Sequence, residues 1–459
     1  MHKVCIFSIF WFTCFVVSAK KYKANWDSLD SRPLPNWYDD GKIGIFIHFG
    51  VYSVPSFKSE WFWWYWKSTD PVHQDVRDFM TKNYPPGFTY QDFAKDFKLE
   101  FFNANEWIEL FEKSGAKYAV LTTKHHEGYT LWPSPYSFSW NSVDVGPARD
   151  IVGEFSHAVK KSPKLKLGLY HSFFEWFNPL FALDSKNNFT TRNFFKGTAE
   201  LYDLVKKYKP ELIWSDGAPA PPEYWRSQEF LAWLYNDSPV KNTVVVNDRW
   251  GNGCSCKHGG FLNCADRYRP DKKLGRKWEN AMTLDTKSWG YRRNGKLEDY
   301  LTINDLLKQL ADTVSKGGNL LVDVGPTKEG TIPLLMQDRL QEMGKWLNVN
   351  GEAIYKTEPW KHFNDSTTHE FYYTQSKVEV NTIFGIFLNW PTDDLIVLSR
   401  PQPTQATQVY LLGFEDDALN WDFTEGNNSA EGYMRIYLPS MAKMQHVRQA
   451  WALKITKCL

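Results

Sequence analysis

An aspartate directly after a short apolar run is the residue in this sequence best placed to do chemistry. In the stretch YKPELIWSDG, Pro210 ends a helical segment, residues 212–214 form a predicted strand, and Asp216 follows. In a β/α barrel, catalytic groups stand just past the carboxyl ends of the strands. Asp216 is therefore a candidate catalytic acid, although the same spacing suits an aspartate that caps the next helix.

Five successive predicted strands end in polar or aromatic side chains. Any one of them fits a packing or capping role, but cores disfavour unpaired polar atoms, so their recurrence indicates a shared pocket. Hydrogen-bonding groups between aromatic walls suit a hexose-sized polyol. The aromatic-rich loop at 59–66 would line this pocket or pack on the barrel rim. The strand-end residues, in chain order, are His48, His125, His126, Tyr170, Trp214 and Arg249.

A second acid is needed if the pocket cleaves a glycosidic bond, because that reaction uses one carboxyl group at the anomeric carbon and another at the leaving oxygen. Two candidates follow the fifth predicted strand. Asp266 lies in a loop beside Cys264, and Glu279 lies in the triplet KWE. Asp266 could instead be a solvated loop acid, and Glu279 could instead form an ion pair with Lys277 or Arg276. Spacing alone leaves these alternatives open.

Strand-like and helix-like segments alternate from about residue 40 to residue 350, which is typical of a parallel sheet in a (β/α)8-like barrel. Shorter β segments separated by turn residues follow, which predicts a C-terminal antiparallel β-sandwich. We therefore expect a barrel at 20–352, irregular in closure because seven strands are evident, and a sandwich at 353–459. The predicted barrel strands are 44–48, 118–122, 166–170, 211–216, 244–248, 281–284 and 320–324, and the predicted helices are 105–114, 150–161, 199–207 and 303–315.

The first nineteen residues have a basic start, a short apolar block and small residues at the end, which predicts a secretory signal peptide at 1–19. The block is short and diluted for a membrane span, and we expect no such span elsewhere. Four cysteines then remain, Cys254, Cys256, Cys264 and Cys458, and three full pairings are open to them. Glycosylation sequons begin at Asn188, Asn236, Asn364 and Asn427.

The composition adds two constraints. A net charge of +1 gives no reason to expect a nucleic-acid partner. Aromatic residues make up 17% of the chain, which suits stacking on sugar rings as well as core packing.

Several long blocks of this sequence closely resemble one family, the family 29 glycoside hydrolases or α-L-fucosidases, and the animal lysosomal and secreted enzymes above all. The resemblance implies retaining hydrolysis of terminal α-L-fucose, with Asp216 as the nucleophile. The acid/base position matches Asp266, and an alternative assignment in the family points to Glu279. We favour Asp266. The blocks are KIGIFIHFGVYSVPSF, SEWFWWYW, TTKHHEGY, YKPELIWSDG, VVVNDRWG, HGGFLNC, KWE, SWGYRR and GGNLLVDVGPTKEG.

The same resemblance implies the remaining site residues and the partner. Fucose would be bound by His48, Glu60, Trp61, His125, His126, Tyr170, Trp214 and Arg249. The partner would be a fucosylated glycan, and we expect no metal ion or cofactor. The sequence leaves open the linkage, the leaving group, the choice between lysosome and secretion, and whether the chain forms a homo-oligomer.

The chain departs from the family where Ala281 replaces a usual cysteine and where the nucleophile strand continues as Ala218-Pro219-Ala220. Two competing hypotheses remain. One is a metal-dependent barrel hydrolase that uses His48, His125, His126 and Asp216 as ligands, although such enzymes usually carry His-x-His on the first strand. The other is a non-catalytic fucose-binding relative, which the presence of Asp216 and both acid candidates disfavours.

Overall fold

The computed structural model describes residues 21–414, 417–425, 432–443 and 449–458. The helices are α1 Trp26–Asp30, α2 Asn36–Gly41, α3 Phe62–Lys67, α4 Gln74–Asn83, α5 Ala104–Lys113, α6 Ile151–Lys161, α7 Pro179–Lys186, α8 Lys196–Tyr208, α9 Pro222–Trp225, α10 Ser227–Asn236, α11 Ile303–Ser315 and α12 Leu334–Asn350. The strands are β1 Ile43–Ile47, β2 Tyr118–Lys124, β3 Lys166–Ser172, β4 Leu212–Asp216, β5 Val245–Val246, β6 Trp278–Thr283, β7 Gly318–Val324, β8 Thr357–Glu358, β9 Phe371–Ser376, β10 Ile383–Phe387, β11 Leu395–Leu398, β12 Pro403–Leu411, β13 Trp421–Thr424, β14 Tyr433–Tyr437 and β15 Trp451–Cys458. The predicted signal peptide and Asn427 lie outside the described residues.

The first seven strands form one parallel sheet in the order β5-β4-β3-β2-β1-β7-β6. Nearly every residue of these strands is buried, as expected when side chains on both faces of a parallel sheet are covered. The predicted helices correspond to α5, α6, α8 and α11, and they connect successive strands as crossovers. The predicted barrel is therefore confirmed.

A non-strand segment closes the barrel between the two edge strands, β5 and β6. Its amides at Gly260 and Phe261 donate to the carbonyl of Val246 in β5, at 3.0 and 3.1 Å. Leu262 then pairs with β6, because its amide donates to Lys277 and its carbonyl accepts from Glu279. This segment occupies the place of an eighth strand, which explains why only seven were evident in the sequence.

A glycine makes this close approach of backbones feasible. Gly259 has φ +107°, and a Cβ built there would lie 2.1 Å from the carbonyl oxygen of Asn247. A larger residue would push the bridging segment away from β5. The HGG motif therefore has a structural explanation in the closure of the barrel.

The bounds of all seven barrel strands differ from the predicted ones by at least one residue, and β5 and β6 differ most. The regular part of β5 is only two residues long, because the chain leaves the ladder to form the loop that carries Arg249. Strand β6 begins at Trp278, three residues before the predicted start. Glu279 and Asn280 hid this start, since a buried strand with polar side chains lacks a continuous apolar pattern.

The C-terminal region contains two antiparallel sheets, in the orders β12-β15-β10-β9-β8 and β11-β14-β13. Buried side chains of both sheets, such as Phe387, Leu411 and Met434, belong to one hydrophobic core that continues into the barrel. This agrees with the predicted β-sandwich. The predicted domain boundary falls in the helical turn Gly351–Ala353. Among the helices that the structure describes, none is long and apolar enough to cross a bilayer.

Candidate active site

A cavity of about 690 Å³ opens at the carboxyl ends of the barrel strands. It is lined by every candidate site residue from the sequence except Glu279. Its full lining is Phe46, His48, Glu60, Trp61, Trp64, His125, His126, Tyr170, Phe174, Trp176, Phe181, Ala182, Ser185, Lys186, Trp214, Asp216, Ala218, Pro219, Arg249, Asp266 and Trp289. The fold thus brings residues from loops more than 200 positions apart into one space.

Asp216 is the last residue of β4, and its carboxylate faces the cavity. Its Oδ2 atom accepts a hydrogen bond of 2.9 Å from the hydroxyl of Tyr170 and lies 3.6 Å from Nε2 of His126. Burial raises the pKa of Asp216, the guanidinium of Arg249 opposes this, and the charge of Asp266 adds to it. Asp216 is therefore an oriented carboxylate in a poorly solvated position.

The two consecutive histidines both line the cavity because β2 ends at Lys124, directly before them. His126 is fixed by a 2.7 Å hydrogen bond between its Nδ1 and the hydroxyl of Ser172. Burial and the neighbouring ring of His125 hold the pKa of His126 well below its usual value. His126 is thus a neutral hydrogen-bonding group beside Asp216.

His48 is oriented by an acid that the sequence analysis missed. Its Nδ1 lies 2.6 Å from Oδ1 of Asp323, a fully buried residue of β7. Burial lowers the pKa of His48 and raises that of Asp323, so burial favours the uncharged form of each side chain. The Nδ1 contact fixes the ring and leaves Nε2 as its second hydrogen-bonding atom. The signal was present in the sequence, since Asp323 interrupts an otherwise apolar strand.

Glu60 is held in place by the loop after β6. Its Oε2 accepts hydrogen bonds from the amides of Trp289 and Gly290, at 3.0 and 3.2 Å, and from the hydroxyls of Ser59 and Ser288. All four hydrogen bonds reach the same carboxylate oxygen, so they orient the side chain of Glu60 where it lines the cavity. Trp289 itself lines the cavity, and its role was not predicted although it lies in the quoted block SWGYRR.

Arg249 and Asp266 form an ion pair of 2.6 Å between Nη2 and Oδ1. The guanidinium also lies over the ring of Trp214, 4.7 Å from its centroid. Asp266 is half exposed, with 49% of its side chain accessible, whereas Arg249 is 15% exposed. Arg249 therefore connects the buried floor of the cavity with an acid beside the solvent.

The loop that carries Asp266 is restrained by a disulfide between Cys256 and Cys264. Asp248 adds a second restraint, since its Oδ2 accepts hydrogen bonds from the backbone amides of both cysteines, at 2.7 and 3.0 Å. This pairing was one of those that the sequence left open. Cys254 is a buried thiol in the same loop.

Glu279 lies behind the cavity floor. Its Oε1 accepts a 3.0 Å hydrogen bond from the indole of Trp214, and its Oε2 accepts from the hydroxyls of Tyr38 and Tyr118, each at 2.8 Å. The side chain is fully buried, and burial raises its pKa to about 7. Trp214 thus separates Glu279 from the space in which a substrate would react.

The outer wall of the cavity was also missed by the sequence analysis. Phe174 and Trp176 follow β3 directly, so the criterion of aromatic residues after strands could have found them. Phe181, Ala182, Ser185 and Lys186 come from α7, a helix without any distinctive motif. Among the described residues, histidine, cysteine and acidic side chains form no cluster of three or more suited to a metal ion.

A β/α barrel with carboxyl groups, hydrogen-bonding histidines and aromatic walls at the carboxyl ends of its strands defines a barrel glycoside hydrolase. Comparison with known proteins identifies the family. Residues 9–352 match the family model described as alpha-L-fucosidase, and residues 363–456 match the alpha-L-fucosidase C-terminal domain. The chain belongs to the α-L-fucosidase family.

Individual relatives agree with this assignment. The plasma alpha-L-fucosidase of Homo sapiens is 51% identical over 451 residues, which cover 97% of this chain and 95% of that protein. The tissue alpha-L-fucosidase of Mus musculus is 49% identical and covers 96% of each chain. The crystal structure of Thermotoga maritima alpha-fucosidase in complex with fucose has a TM-score of 0.79 and 32% identity, and covers 95% of this chain and 100% of that chain.

Proposed function

We propose that Asp216 is the nucleophile and Asp266 the acid/base of a retaining α-L-fucosidase. In the first step the Asp216 carboxylate attacks C1 of fucose while Asp266 protonates the glycosidic oxygen, so that an alcohol leaves and a fucosyl ester forms. In the second step Asp266 removes a proton from water, and the water oxygen attacks C1 and releases Asp216. The observation that carries this proposal is the position of Asp216 in the cavity, held by Tyr170 beside the Arg249–Asp266 pair.

The other cavity residues suit the binding of a deoxysugar. His48, His126 and Glu60 have fixed orientations and can hydrogen-bond to hydroxyl groups. His125 and Arg249 add further donors. The rings of Trp61, Tyr170 and Trp214 offer apolar faces to the sugar ring and its C5 methyl group.

The decisive experiment compares Asp216→Gly and Asp266→Gly with an activated aryl α-L-fucoside and added azide. Loss of the nucleophile leaves room for azide to attack once, so Asp216→Gly should yield a β-fucosyl azide. Loss of the acid/base leaves the fucosyl ester intact, so azide replaces water in the second step and Asp266→Gly should yield an α-fucosyl azide. Near-normal turnover of Asp216→Gly without azide would exclude Asp216 as the nucleophile.

The stereochemical outcome provides an independent test. A double displacement releases α-L-fucose first, because two inversions restore the original configuration. Proton NMR of the early reaction mixture with the unmodified enzyme distinguishes the two anomers before they equilibrate. Release of β-L-fucose as the first product would contradict the proposed roles.

We further propose that the protein enters the secretory pathway and acts on fucosylated glycans, either in lysosomes or after secretion. The predicted signal peptide at 1–19 supports this, as do relatives named plasma and tissue alpha-L-fucosidase. N-terminal sequencing of protein collected from culture medium should begin at or near residue 20. Light scattering of the same preparation tests whether the chain forms the homo-oligomer that the sequence left open.

A further inference from the structure

Glu127 is a buried acid that directly follows the two histidines of the cavity. Its side chain is 1% exposed, and the cavity lining includes both histidines but not Glu127 itself. Among the described residues, no group donates a hydrogen bond to either of its carboxylate oxygens. An ionised carboxylate in such a position is costly unless a cation lies beside it.

The basic group beside Glu127 is the ring of His125. Its Nδ1 lies 3.6 Å from Oε2 of Glu127, and in the described part of the chain Glu127 has no other ion-pairing contact. Nδ1 of His125 also has no hydrogen-bond partner among the described residues. The separation is that of an ion pair and longer than a hydrogen bond. A positive charge on His125 would therefore offset the cost of burying the carboxylate.

The local backbone holds these two side chains together. The amide of Gly128 donates a 3.1 Å hydrogen bond to the carbonyl of His125, which closes a tight turn around Glu127. The indole of Trp140 donates to the carbonyl of Glu127, also at 3.1 Å. Gly50 leaves room for the carboxylate, because a Cβ built there would lie 3.2 Å from Oε1 of Glu127. The fold thus provides a defined position for this acid behind His125.

Three tyrosines near Glu127 remain neutral. Burial and the negative charge of Glu127 raise the pKa of Tyr52, Tyr90 and Tyr129. A protonated phenol does not balance the charge of a carboxylate. The charge of Glu127 therefore has its counterpart in His125.

The rest of the His125 ring faces the reacting groups. Burial and the charge of His125 lower the pKa of the other two histidines of the cavity, so a positive charge among the three rings belongs on His125. Burial raises the pKa of Asp216, and the charges of Arg249 and of a protonated His125 oppose this. The titratable rings that face His125 are those of His48, Tyr52, His126 and Tyr170, with centroids 5.9, 5.6, 4.1 and 6.0 Å away.

We infer that Glu127 is a positioning residue for His125: its carboxylate stabilises a second proton on that ring, which then faces the sugar and Asp216 as an imidazolium. This inference rests on the proposed role of Asp216 as the nucleophile. The pairing of Nδ1 with Glu127 leaves Nε2–H as a charged donor at the cavity. The positive charge helps to keep Asp216 ionised in a poorly solvated position. Glu127 thus acts on the nucleophile without contact with the substrate.

The test measures the pH dependence of kcat/KM with an activated aryl α-L-fucoside, whose departure needs little proton transfer. In Glu127→Gln the acidic limb should move to higher pH, because Asp216 loses a neighbouring positive charge. The plateau of kcat/KM should fall about 10-fold, because a charged donor to the sugar becomes a neutral one. Glu127→Asp keeps a carboxylate and should restore most of both properties. In a His125→Gln background, Glu127→Gln should move the limb no further.

Glu211→Gln is the matched control. It removes a carboxylate that pairs with Lys166 at 2.8 Å, and Glu211 directly precedes β4, at the opposite end of the strand from Asp216. This variant should keep the acidic limb and the plateau of the parent. An acidic limb that stays in place in Glu127→Gln, or that moves to lower pH, would overturn the positioning role of Glu127.

Nitrogen NMR of protein labelled at histidine reads the charge of His125 without turnover. The signals of His125 are assigned by their absence from His125→Gln. At the pH of the kinetic plateau, the ring should show the shifts of an imidazolium in the parent and those of a neutral ring in Glu127→Gln. A neutral ring in the parent would overturn this inference and leave the proposed function intact. Near-normal turnover of Asp216→Gly, with an imidazolium in the parent, would overturn the role of Asp216 and leave the pair of Glu127 and His125 in place.

Discussion

The two candidate acids occupy opposite environments. Asp266 is half exposed and paired with Arg249 at the cavity, so its carboxyl group is accessible both to a substrate in the cavity and to solvent. Glu279 is fully buried behind Trp214 and accepts three hydrogen bonds from fixed donors. A general acid must reach the leaving oxygen, and access therefore favours Asp266 although burial raises the pKa of Glu279 to about 7.

The first prediction separates these acids by the leaving group of the substrate. In Asp266→Ala, kcat/KM should fall about 10²- to 10⁴-fold on natural disaccharides. It should fall far less on an activated aryl fucoside, because the aryl leaving group departs without needing a proton. Steady-state kinetics with both substrates provide the measurement.

Glu279→Ala is the comparison. Because it removes the acceptor that orients Trp214, we expect it to lower kcat/KM on all substrates to a similar degree. Selective loss on poor leaving groups in Glu279→Ala, with no such selectivity in Asp266→Ala, would assign the acid/base role to Glu279.

The second prediction concerns the acidic limb, which we assign to Asp216 because a nucleophile must be ionised. Burial already raises the pKa of Asp216, while the hydroxyl of Tyr170 lowers it by donating to the charged form. Tyr170→Phe removes that donor, so the pKa of Asp216 should rise further. The acidic limb of kcat/KM should move to higher pH.

Tyr208→Phe is a matched control, because it removes a tyrosine–carboxylate hydrogen bond to Asp150 away from the cavity. It should leave the acidic limb in place. A limb that stays unchanged in Tyr170→Phe, or moves to lower pH, would contradict the assignment to Asp216.

At the scale of elements, the segment between β5 and β6 performs two tasks. Residues 260–262 close the barrel, and the loop on either side carries Arg249 and Asp266. The disulfide and the buried Asp248 restrain this loop at two points. Because the acid/base must be positioned closely, we expect the restraint to matter for rate as well as for stability.

The third prediction tests that restraint with the double variant Cys256→Ala/Cys264→Ala. Opening a short loop should lower the free energy of unfolding by about 2–3 kcal/mol. Values of kcat/KM for poor leaving groups should fall more than those for activated aryl fucosides, since only poor leaving groups depend on protonation by Asp266 in the first step. Denaturant unfolding and kinetics with both substrates give the two readouts.

Cys254→Ala is the control for this variant, because it removes a neighbouring buried sulfur without opening the loop. It should leave the substrate dependence of the rate unchanged. An equal loss on both substrates in the double variant would show that the disulfide supports the fold without positioning Asp266.

At the scale of the whole molecule, Glu279 connects distant parts of the barrel. Its carboxylate joins Tyr38 from α2, Tyr118 from β2 and Trp214 from β4 to its own strand, β6. A buried acid of this kind couples the protonation state of the core to global stability. Its pKa is raised by burial from an ordinary value of 4.5 to about 7.

The fourth prediction follows from the sign of that shift. The folded protein holds this proton more tightly than the unfolded chain, so its contribution is fully present below pH 4.5 and is lost as pH rises through about 7. The lost contribution is about 3 kcal/mol. Position 279 cannot titrate in Glu279→Gln. The unfolding free energy of the parent minus that of the variant should therefore fall by that amount from pH 4.5 to pH 8.

Denaturant unfolding at several pH values measures this difference, whatever the other titrating groups contribute. Glu298→Gln is the control, because the side chain of Glu298 is 71% exposed. This variant should show the same dependence of unfolding free energy on pH as the parent. A constant difference between parent and Glu279→Gln across this range would mean that Glu279 titrates near its ordinary pKa.

The fifth prediction concerns which sequons carry glycans. Asn188 and Asn364 are exposed, so a glycan at either position projects into solvent. The side-chain amide of Asn236 instead donates to the carbonyls of Tyr22 and Ala232, at 2.8 and 2.7 Å, and holds the N-terminal segment against α10. We expect glycans at Asn188 and Asn364 and none at Asn236.

Glycopeptide mass spectrometry of protein from a mammalian culture checks this directly. Asn236→Gln should leave the mass of attached glycan unchanged, whereas Asn188→Gln should lower it by one chain. A fully occupied Asn236 would mean that the N-terminal segment is held by other contacts.

The sequence by itself determined the alternation that makes the barrel and the chemistry at its strand ends. Buried parallel strands are continuous apolar runs, and Asp216, His48 and Arg249 stand where such runs stop, so a local pattern was enough. The resemblance of long sequence blocks to one family then implied roles for those residues. The match to the family model confirms the family itself.

Only the tertiary structure decided the contacts between residues far apart in the chain. Glu279 looks like any strand acid until Trp214 is seen to cover it, and Asp323 gains its meaning from His48. The pairing of Cys256 with Cys264 was one choice among several. The cavity also brings residues of α7 and of the segment after β1 together, and no local periodicity records such a meeting, because it depends on how the barrel closes.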